Sequence, residues 1–183
     1  MTDDLPTAAE LDAALSDQDV TQTRVITLAL MGGVVAMTVV AVVFAARQDA
    51  LDSPAPRDST VTDILSFVHL AVFAGCLVAR RFVSRAILTA RLPTRHVPVA
   101  ATATPAQRAI QRVKGAHVTG LALLEGPAIF GLTVIIVAAA GNHLAAQPLY
   151  ALNAFSTVVF LVLTALHFPN RQRLLDQLLD ATA

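Results

Sequence analysis

A single acidic residue, Glu125, lies inside the strongly apolar segment LALLEGPAIFGL, which covers residues 121–132. No other Asp or Glu occurs between Asp63 and Asp176. An ionised carboxylate at the centre of a bilayer costs at least about 2.5 kcal/mol, and apolar surroundings disfavour the charged form. No Lys or Arg lies within one helical turn of Glu125. We therefore expect a protonated carboxyl at neutral pH, unless another helix or subunit supplies a cation.

Gly126 and Pro127 follow this acid directly. Proline has no N–H, so the carbonyl of Leu123 loses its helical hydrogen-bond partner, and glycine lets another backbone come close. The combination predicts a kinked helix with a free acceptor beside a proton-bearing acid. Two interpretations follow. Glu125 is either a proton or cation site, or a protonated acid that makes a structural hydrogen bond across a helix interface.

His69 is the second candidate, because it lies inside another apolar segment and could share a proton with Glu125 across a helical bundle. His117, His143 and His167 lie near the ends of apolar segments, and no pair has the His-x-x-x-His spacing of a metal site. We predict no metal site and no cofactor, and a satisfied structural histidine is the alternative at each position. No nucleophile elbow, phosphate loop or pair of catalytic carboxylates is recognisable, so no enzymatic activity is predicted.

Composition places these residues in membrane-spanning helices. Only 14% of the 183 residues are charged, against about 25% in soluble domains, and the mean hydropathy is +0.64. One crossing needs about 20 mainly apolar residues, and no charged residue occurs in 25–46, 64–79 or 126–170. The last stretch is too long for one crossing, and Gly141, Asn142 and Pro148 supply a reversal. The sequence therefore predicts an all-α integral membrane four-helix bundle made of two transmembrane hairpins.

The predicted organisation has an acidic N-terminal segment, a membrane domain and an amphipathic tail, at residues 1–23, 24–168 and 169–183. The membrane domain has four predicted spans and a basic linker at 83–116; the spans cover 24–46, 63–82, 117–140 and 149–168. Within the linker, Thr104 and Pro105 predict the N-cap and first residue of a helix that continues into the third span. The leucines of the tail fall on one side of a helix, which fits either an interfacial helix or a face packed against a neighbour.

The distribution of basic residues predicts the orientation. Residues 80–114 contain eight Lys or Arg and no acid, and the positive-inside rule places such a region in the cytoplasm. Four crossings then put both termini on the cytoplasmic side. Arg80, Arg81 and Arg85 are candidate contacts for anionic lipid. Without aromatic interleaving or a binding motif, nucleic acid is not an expected partner.

Small residues four positions apart predict where membrane helices pack closely. Gly33, Gly75 and Gly126 each follow an alanine at this spacing. In an alanine-rich chain, packing within the molecule is the simpler interpretation, and a dimerisation face is the alternative.

The segment EGPAIFGL is similar to the ion-carrying helix of the rotor-ring c subunits of F- and V-type ATP synthases. In that family a Glu is followed at fixed offsets by Ile, an aromatic residue, Gly and Leu, which here are Glu125, Ile129, Phe130, Gly131 and Leu132. This resemblance implies that Glu125 carries a proton or cation and that Gly131 belongs to a packing helix.

Over its whole length the chain resembles a group of small, uncharacterised four-span bacterial membrane proteins. They share an Arg-led first span, a basic linker, a helix reading close to ALLEGPAIFG and a short basic tail. This resemblance implies a shared motif at residues 125–127 and a place in the bacterial inner membrane, but no assigned activity.

Two functions therefore stay open. In the first, an oligomer or a subunit of a larger membrane complex carries protons or cations through Glu125, with His69 as a further candidate. In the second, the protein is a non-catalytic scaffold or accessory subunit, and Glu125 is a structural hydrogen-bonding acid. The expected partners are the lipid bilayer and either further copies of the chain or other membrane subunits.

Overall fold

The computed structural model describes residues 6–48, 58–88 and 103–182. These residues form helices and no strand, so the predicted all-α class is confirmed for this part of the chain. Residues 89–102 of the predicted basic linker and the first five residues of the predicted acidic segment lie outside it. The helices are α1 Ala8–Ala14, α2 Asp17–Gln48, α3 Thr60–Leu88, α4 Pro105–Ala140, α5 His143–Ala146, a 3₁₀ helix Pro148–Ala154, α6 Phe155–Leu166 and α7 Arg171–Thr182.

Four helices of the described residues are long and apolar enough to cross a bilayer, which confirms the number predicted from the sequence. They are α2, α3, α4 and the continuous 3₁₀–α6 segment, with mean hydropathies of 2.0 to 2.5. All four begin before the predicted spans. The fourth starts one residue early, at Pro148, whereas α2 starts at Asp17, α3 at Thr60 and α4 at Pro105. Polar turns at these ends continue the helices, whereas the apolar stretches alone defined the predicted spans.

Reciprocal capping interactions explain where three of the helices begin. At each start, the hydroxyl of the Ser or Thr at the N-cap accepts a hydrogen bond from the backbone N–H three residues later. The side chain of that later residue accepts a hydrogen bond from the backbone N–H of the N-cap. The predicted cap at Thr104 is confirmed. The hydrogen bonds from the backbone N–H and hydroxyl of Thr7 hold the pKa of Glu10 below its usual value. The pairs are Thr7–Glu10, Ser16–Asp19 and Thr104–Gln107.

The chain forms two compact units. The first comprises Met1–Leu28, Arg80–Gly120 and His167–Ala183, and the second comprises Ala29–Ala79 and Leu121–Leu166. Each unit has its own cluster of buried apolar side chains.

The core of the first unit settles the two alternatives for the C-terminal tail. Leu174 and Leu178 on α7 are buried, with 2% and 1% of their surfaces exposed. They pack in one cluster with side chains of α1, α2 and α4, namely Leu11, Leu15, Val20, Ala106, Ile110 and Val113. The leucine face of α7 is therefore a packing face within the protein.

Ion pairs join the acidic N-terminal segment to cations of the same unit. Lys114 Nζ lies 2.8 Å from Asp19 Oδ1 and donates to Gln22 Oε1 over 2.7 Å. Arg171 pairs with Asp12 at 2.9 Å and with Asp17 at 3.4 Å. The Arg171 pairs are exposed, and such pairs contribute at most about 1 kcal/mol each, whereas the side chains of Lys114 and Asp19 are only 12% and 21% exposed.

The core of the second unit is built around α4. Half of the residues in the most apolar 18-residue stretch of α4 are buried. The corresponding share is 11% in α2 and 17% in α3. Large apolar side chains consequently lie exposed along α2 and α3, among them Val39 at 58% and Phe67 at 75%. Such a continuous exposed apolar surface fits the hydrocarbon of a bilayer. The buried cluster consists of Val34, Ala41, Leu124, Ala128, Leu132, Ile135 and Phe160.

Candidate functional site

Glu125 lies near the middle of α4, and its side chain is half-buried. Its Oε1 lies 3.6 Å from the position that a Cβ on Gly33 of α2 would occupy, which is ordinary van der Waals contact. Within the described part of the chain, Glu125 has neither a hydrogen bond nor an ion pair. The carboxyl therefore lies against a glycine of a neighbouring apolar helix without a polar partner from its own chain.

The backbone of α4 just beyond Glu125 accepts hydrogen bonds from α6. Ser156 Oγ lies within hydrogen-bond distance of the Pro127 carbonyl oxygen, at 3.1 Å, and Thr157 Oγ1 donates to the Ala128 carbonyl over 3.2 Å. These acceptors lie one helical turn beyond the Leu123 carbonyl, which the sequence predicted to be a free acceptor. Helix α4 continues through Pro127 without interruption, so the kink stays a prediction.

His69 lies on α3 with only 1% of its surface exposed. Its Nδ1 lies 2.8 Å from Asn153 Oδ1, and its Nε2 lies 3.0 Å from Ser156 Oγ and 3.1 Å from the Pro127 carbonyl oxygen. Glu125 is not a hydrogen-bond partner of this imidazole. Glu125 and Pro127 lie about 200° apart around the helix, so the face of α4 that meets His69 differs from the one that carries the acid.

A polar track leads from His69 toward the start of α3. Asn153 Nδ2 donates to Ser66 Oγ over 3.0 Å and to the Tyr150 carbonyl over 2.9 Å. The Tyr150 hydroxyl donates to Asp63 Oδ1. Asp63, Ser66 and His69 follow each other at three-residue spacing on α3, and burial increases from the exposed Asp63 to the buried His69. The 3₁₀ helix is therefore attached to one face of α3 by polar contacts.

Aromatic rings enclose the imidazole between these polar contacts. Phe73, one turn further along α3, stacks on His69 with ring centroids 6.3 Å apart. Phe130 of α4 meets the ring edge-on at 5.8 Å. The imidazole is thus surrounded by apolar groups except at its two nitrogen atoms, where hydrogen bonding is strongest because water is excluded.

Gly131 is required where α4 meets this cluster. A Cβ at position 131 would lie 2.8 Å from His69 Nε2 and 2.9 Å from Ser156 Oγ, and it would overlap the Asn153 carbonyl oxygen. The backbone conformation at position 131 does not itself require glycine, since no glycine of the described chain has a positive φ. The close approach of the 3₁₀-helix backbone to α4 explains this glycine.

The other glycines predicted at packing positions differ from Gly131. Gly33 contacts Glu125 at ordinary distance, whereas a Cβ on Gly75 or Gly126 would meet no atom of the described chain within 4 Å. A packing role for Gly75 and Gly126 stays a prediction, which would require contact with another molecule.

The predicted lipid contacts lie near the end of α3, in the first unit. Arg80 is half-buried, and its Nε lies 3.6 Å from the Cβ position of Gly120, while Arg81 and Arg85 are exposed. Their role toward anionic lipid stays a prediction. Within the described residues, no three His, Cys, Asp or Glu side chains are grouped so that they could hold a metal ion.

Sequence reasoning identified His69 but missed its surroundings. Asn153, Ser156, Ser66 and Asp63 were not singled out, although a signal for two of them exists. Polar residues at positions 63, 66 and 69 recur every three residues in an otherwise apolar stretch, which places them on one helix face. Asn153 and Ser156 carry no comparable local signal, since their partners lie 84 and 87 residues away in the sequence.

Comparison with known proteins adds no relative. No protein-family model matches the chain, and no curated protein or solved structure is significantly similar to it. Functional inference therefore rests on the residues themselves and on the contacts described above.

Proposed function

We propose that this chain is a multi-pass membrane protein that reversibly binds a proton at Glu125, acting as an oligomer or as a subunit of a larger membrane complex. The observation that carries the proposal is the Glu125 carboxyl, which lies on an apolar helix without a hydrogen bond or ion pair from the described chain. A carboxyl in such surroundings is neutral when protonated, and its release of the proton requires water or a cation from outside.

A proton is the best supported ligand of this carboxyl. Magnesium and calcium ions take about six to eight oxygen ligands, whereas no other polar side chain of the described residues lies in hydrogen-bond contact with Glu125. A proton needs only the carboxyl itself. The open space around Gly126 leaves room for another helix to approach and change the surroundings of the acid.

The membrane setting of the proposal follows the charge pattern of the sequence. Both termini lie in the cytoplasm, and the membrane is the inner membrane of a bacterium. Arg80, Arg81 and Arg85 then lie at the cytoplasmic surface, where anionic lipid headgroups are available. The similarity of EGPAIFGL to the ion-carrying helix of rotor-ring subunits supports the same role for Glu125.

A scaffold or accessory subunit is the second candidate. The observation that favours it is the hydrogen bonding around His69, which joins α3, the 3₁₀ helix, α4 and α6 in one buried cluster. In this case Glu125 donates a structural hydrogen bond to a neighbouring subunit and keeps its proton.

Proton flux into liposomes separates the two functions. With purified protein reconstituted in liposomes and an internal pH dye, Glu125→Gln is expected to lower proton uptake to the rate of protein-free liposomes. The amide keeps the shape of the side chain but cannot release a proton. Thr133→Ala, at an exposed position of the same helix, is the control and should keep the wild-type rate.

The opposite pattern supports the scaffold. If Glu125→Gln takes up protons like the wild type while Glu125→Leu fails to assemble, the acid acts through its hydrogen bond and not through proton exchange. Assembly is measured as the mass of the intact complex by native mass spectrometry, which also gives the number of copies.

A further inference from the structure

We infer that His69 is a second proton-binding site, separate from Glu125, because its partners can form hydrogen bonds with both the neutral and the charged imidazole. The inference does not depend on the proposed role of Glu125. It rests on which atoms around the ring can donate a hydrogen bond and which can only accept one.

The proton on Nδ1 is assigned by the orientation of Asn153. One end of the Asn153 amide lies 2.9 Å from the Tyr150 carbonyl oxygen, and a carbonyl can only accept, so that end is the NH₂ group. The other end is then the amide oxygen, which lies 2.8 Å from His69 Nδ1. His69 Nδ1 therefore donates to Asn153 in both protonation states of the ring.

Ser156 supplies the hydrogen-bond donor that the neutral ring needs. With its proton on Nδ1, the imidazole has a lone pair on Nε2, and the Ser156 hydroxyl, 3.0 Å away, is the group that can donate to it. The Pro127 carbonyl oxygen, 3.1 Å from Nε2, gains no hydrogen bond from the ring in this state.

The charged ring finds hydrogen-bond partners among the same atoms. Once protonated, Nε2 donates to the Pro127 carbonyl, and Ser156 turns its hydroxyl toward the Asn153 carbonyl oxygen, 3.2 Å away. Binding one proton thus rotates one hydroxyl and leaves every buried polar atom with a partner. A histidine with a purely structural role needs acceptors and donors for one state only.

Polar side chains lie between His69 and the start of α3. Ser66 and Asp63 lie one and two turns before His69 on the same face, and Asp63 is exposed. At 1.5 Å per residue, the imidazole lies only about 9 Å along the helix axis from that carboxylate. The face of α3 between the buried ring and the exposed Asp63 is therefore polar.

Other titratable groups on the elements around His69 do not bind it directly. Within the second unit these are Asp63 and Cys76 on α3, Tyr150 on the 3₁₀ helix and Glu125 on α4. None of the four is hydrogen-bonded to the imidazole within the described chain. The polar atoms in contact with the two ring nitrogens are therefore those of Asn153, Ser156 and the Pro127 carbonyl.

Nitrogen NMR of the ring tests the inference on the intact protein. In ¹⁵N-histidine-labelled protein in lipid nanodiscs, spectra are compared on the two sides of the ordinary histidine range, at about pH 8 and about pH 5. At the higher pH we expect one protonated nitrogen, Nδ1, and at the lower pH two. Ser156→Ala removes the donor to Nε2 of the neutral ring, so the Nε2 signal at the higher pH should move away from its wild-type position while the Nδ1 signal stays.

Two results would overturn the inference. One is a His69 spectrum that does not change between these pH values, and the other is a neutral ring that carries its proton on Nε2. The signals are assigned from the spectrum of His69→Gln or, should that variant not fold, from a variant in which His69 is the only histidine. Glu125→Gln should leave the His69 spectra unchanged, so a failure at one site is distinguishable from a failure at the other.

Discussion

Replacing Gly131 with alanine is expected to lower the free energy of unfolding by about 1–3 kcal/mol, the usual cost of inserting a methyl group into a close-packed site. The methyl group would overlap the Asn153 carbonyl oxygen and press on His69 and Ser156. A backbone oxygen cannot rotate away as a flexible side chain can. The 3₁₀ helix would therefore have to shift from α4, and the hydrogen bonds of the buried cluster would lengthen.

Gly126→Ala is the matched control on the same helix. A Cβ there meets no atom of the described chain within 4 Å, and alanine favours helix over glycine by about 1 kcal/mol. The control is therefore expected to be neutral or slightly stabilising. Thermal unfolding in one detergent, followed by circular dichroism, compares the two variants. Equal stability of Gly131→Ala and Gly126→Ala would contradict the close approach at Gly131.

Leu178→Ala is expected to destabilise the first unit by about 2–5 kcal/mol, the range for removing a buried leucine side chain. Leu178 is 1% exposed in a cluster with residues of α1 and α4, so truncation would leave a cavity among buried apolar side chains. Its neighbour Leu179 is 41% exposed, so Leu179→Ala should change stability by less than about 0.5 kcal/mol.

Amide hydrogen exchange of α7 and α1 measures this difference locally. Faster exchange in both helices for Leu178→Ala, with wild-type exchange for Leu179→Ala, is the expected pattern. If both variants exchange like the wild type but bind lipid vesicles less well, α7 lies on the membrane surface instead of in the protein core.

The helices of this protein were predictable because their physical signals are local. Apolar length and the near absence of charge predicted four crossings, and Thr104 with Pro105 predicted the start of α4. The side chains that begin α2, including Ser16 and Asp19, are polar, and for that reason a search for apolar stretches did not predict the first turns of this helix.

Contacts between residues far apart in the sequence were harder to predict. Periodicity shows that the leucines of α7 share a face, but it does not distinguish a lipid surface from a neighbouring helix. Gly126 and Gly131 look equivalent in a small-residue pattern, and only the approach of Asn153 separates them. His69 was expected to meet Glu125, whereas its partners come from the opposite side of α4.

Glu125 and His69 thus have opposite surroundings in one chain. The imidazole has a donor or acceptor for each nitrogen in either charge state, while the carboxyl has no polar partner among the described residues. The imidazole therefore needs no polar partner from another molecule in either charge state. Glu125 is the group whose chemistry depends on what approaches α4, which is why the proposed function is centred on it.

Labelling of Glu125 by a hydrophobic carbodiimide is the most direct test of the proposed proton site. The reagent modifies protonated carboxyls in apolar surroundings, so labelling measured by mass spectrometry reports the proton on Glu125. We predict modification of Glu125 that decreases as the pH is raised and is absent from Glu125→Gln. An unlabelled Glu125 at every pH, or labelling that does not change with pH, would contradict reversible proton binding at this site.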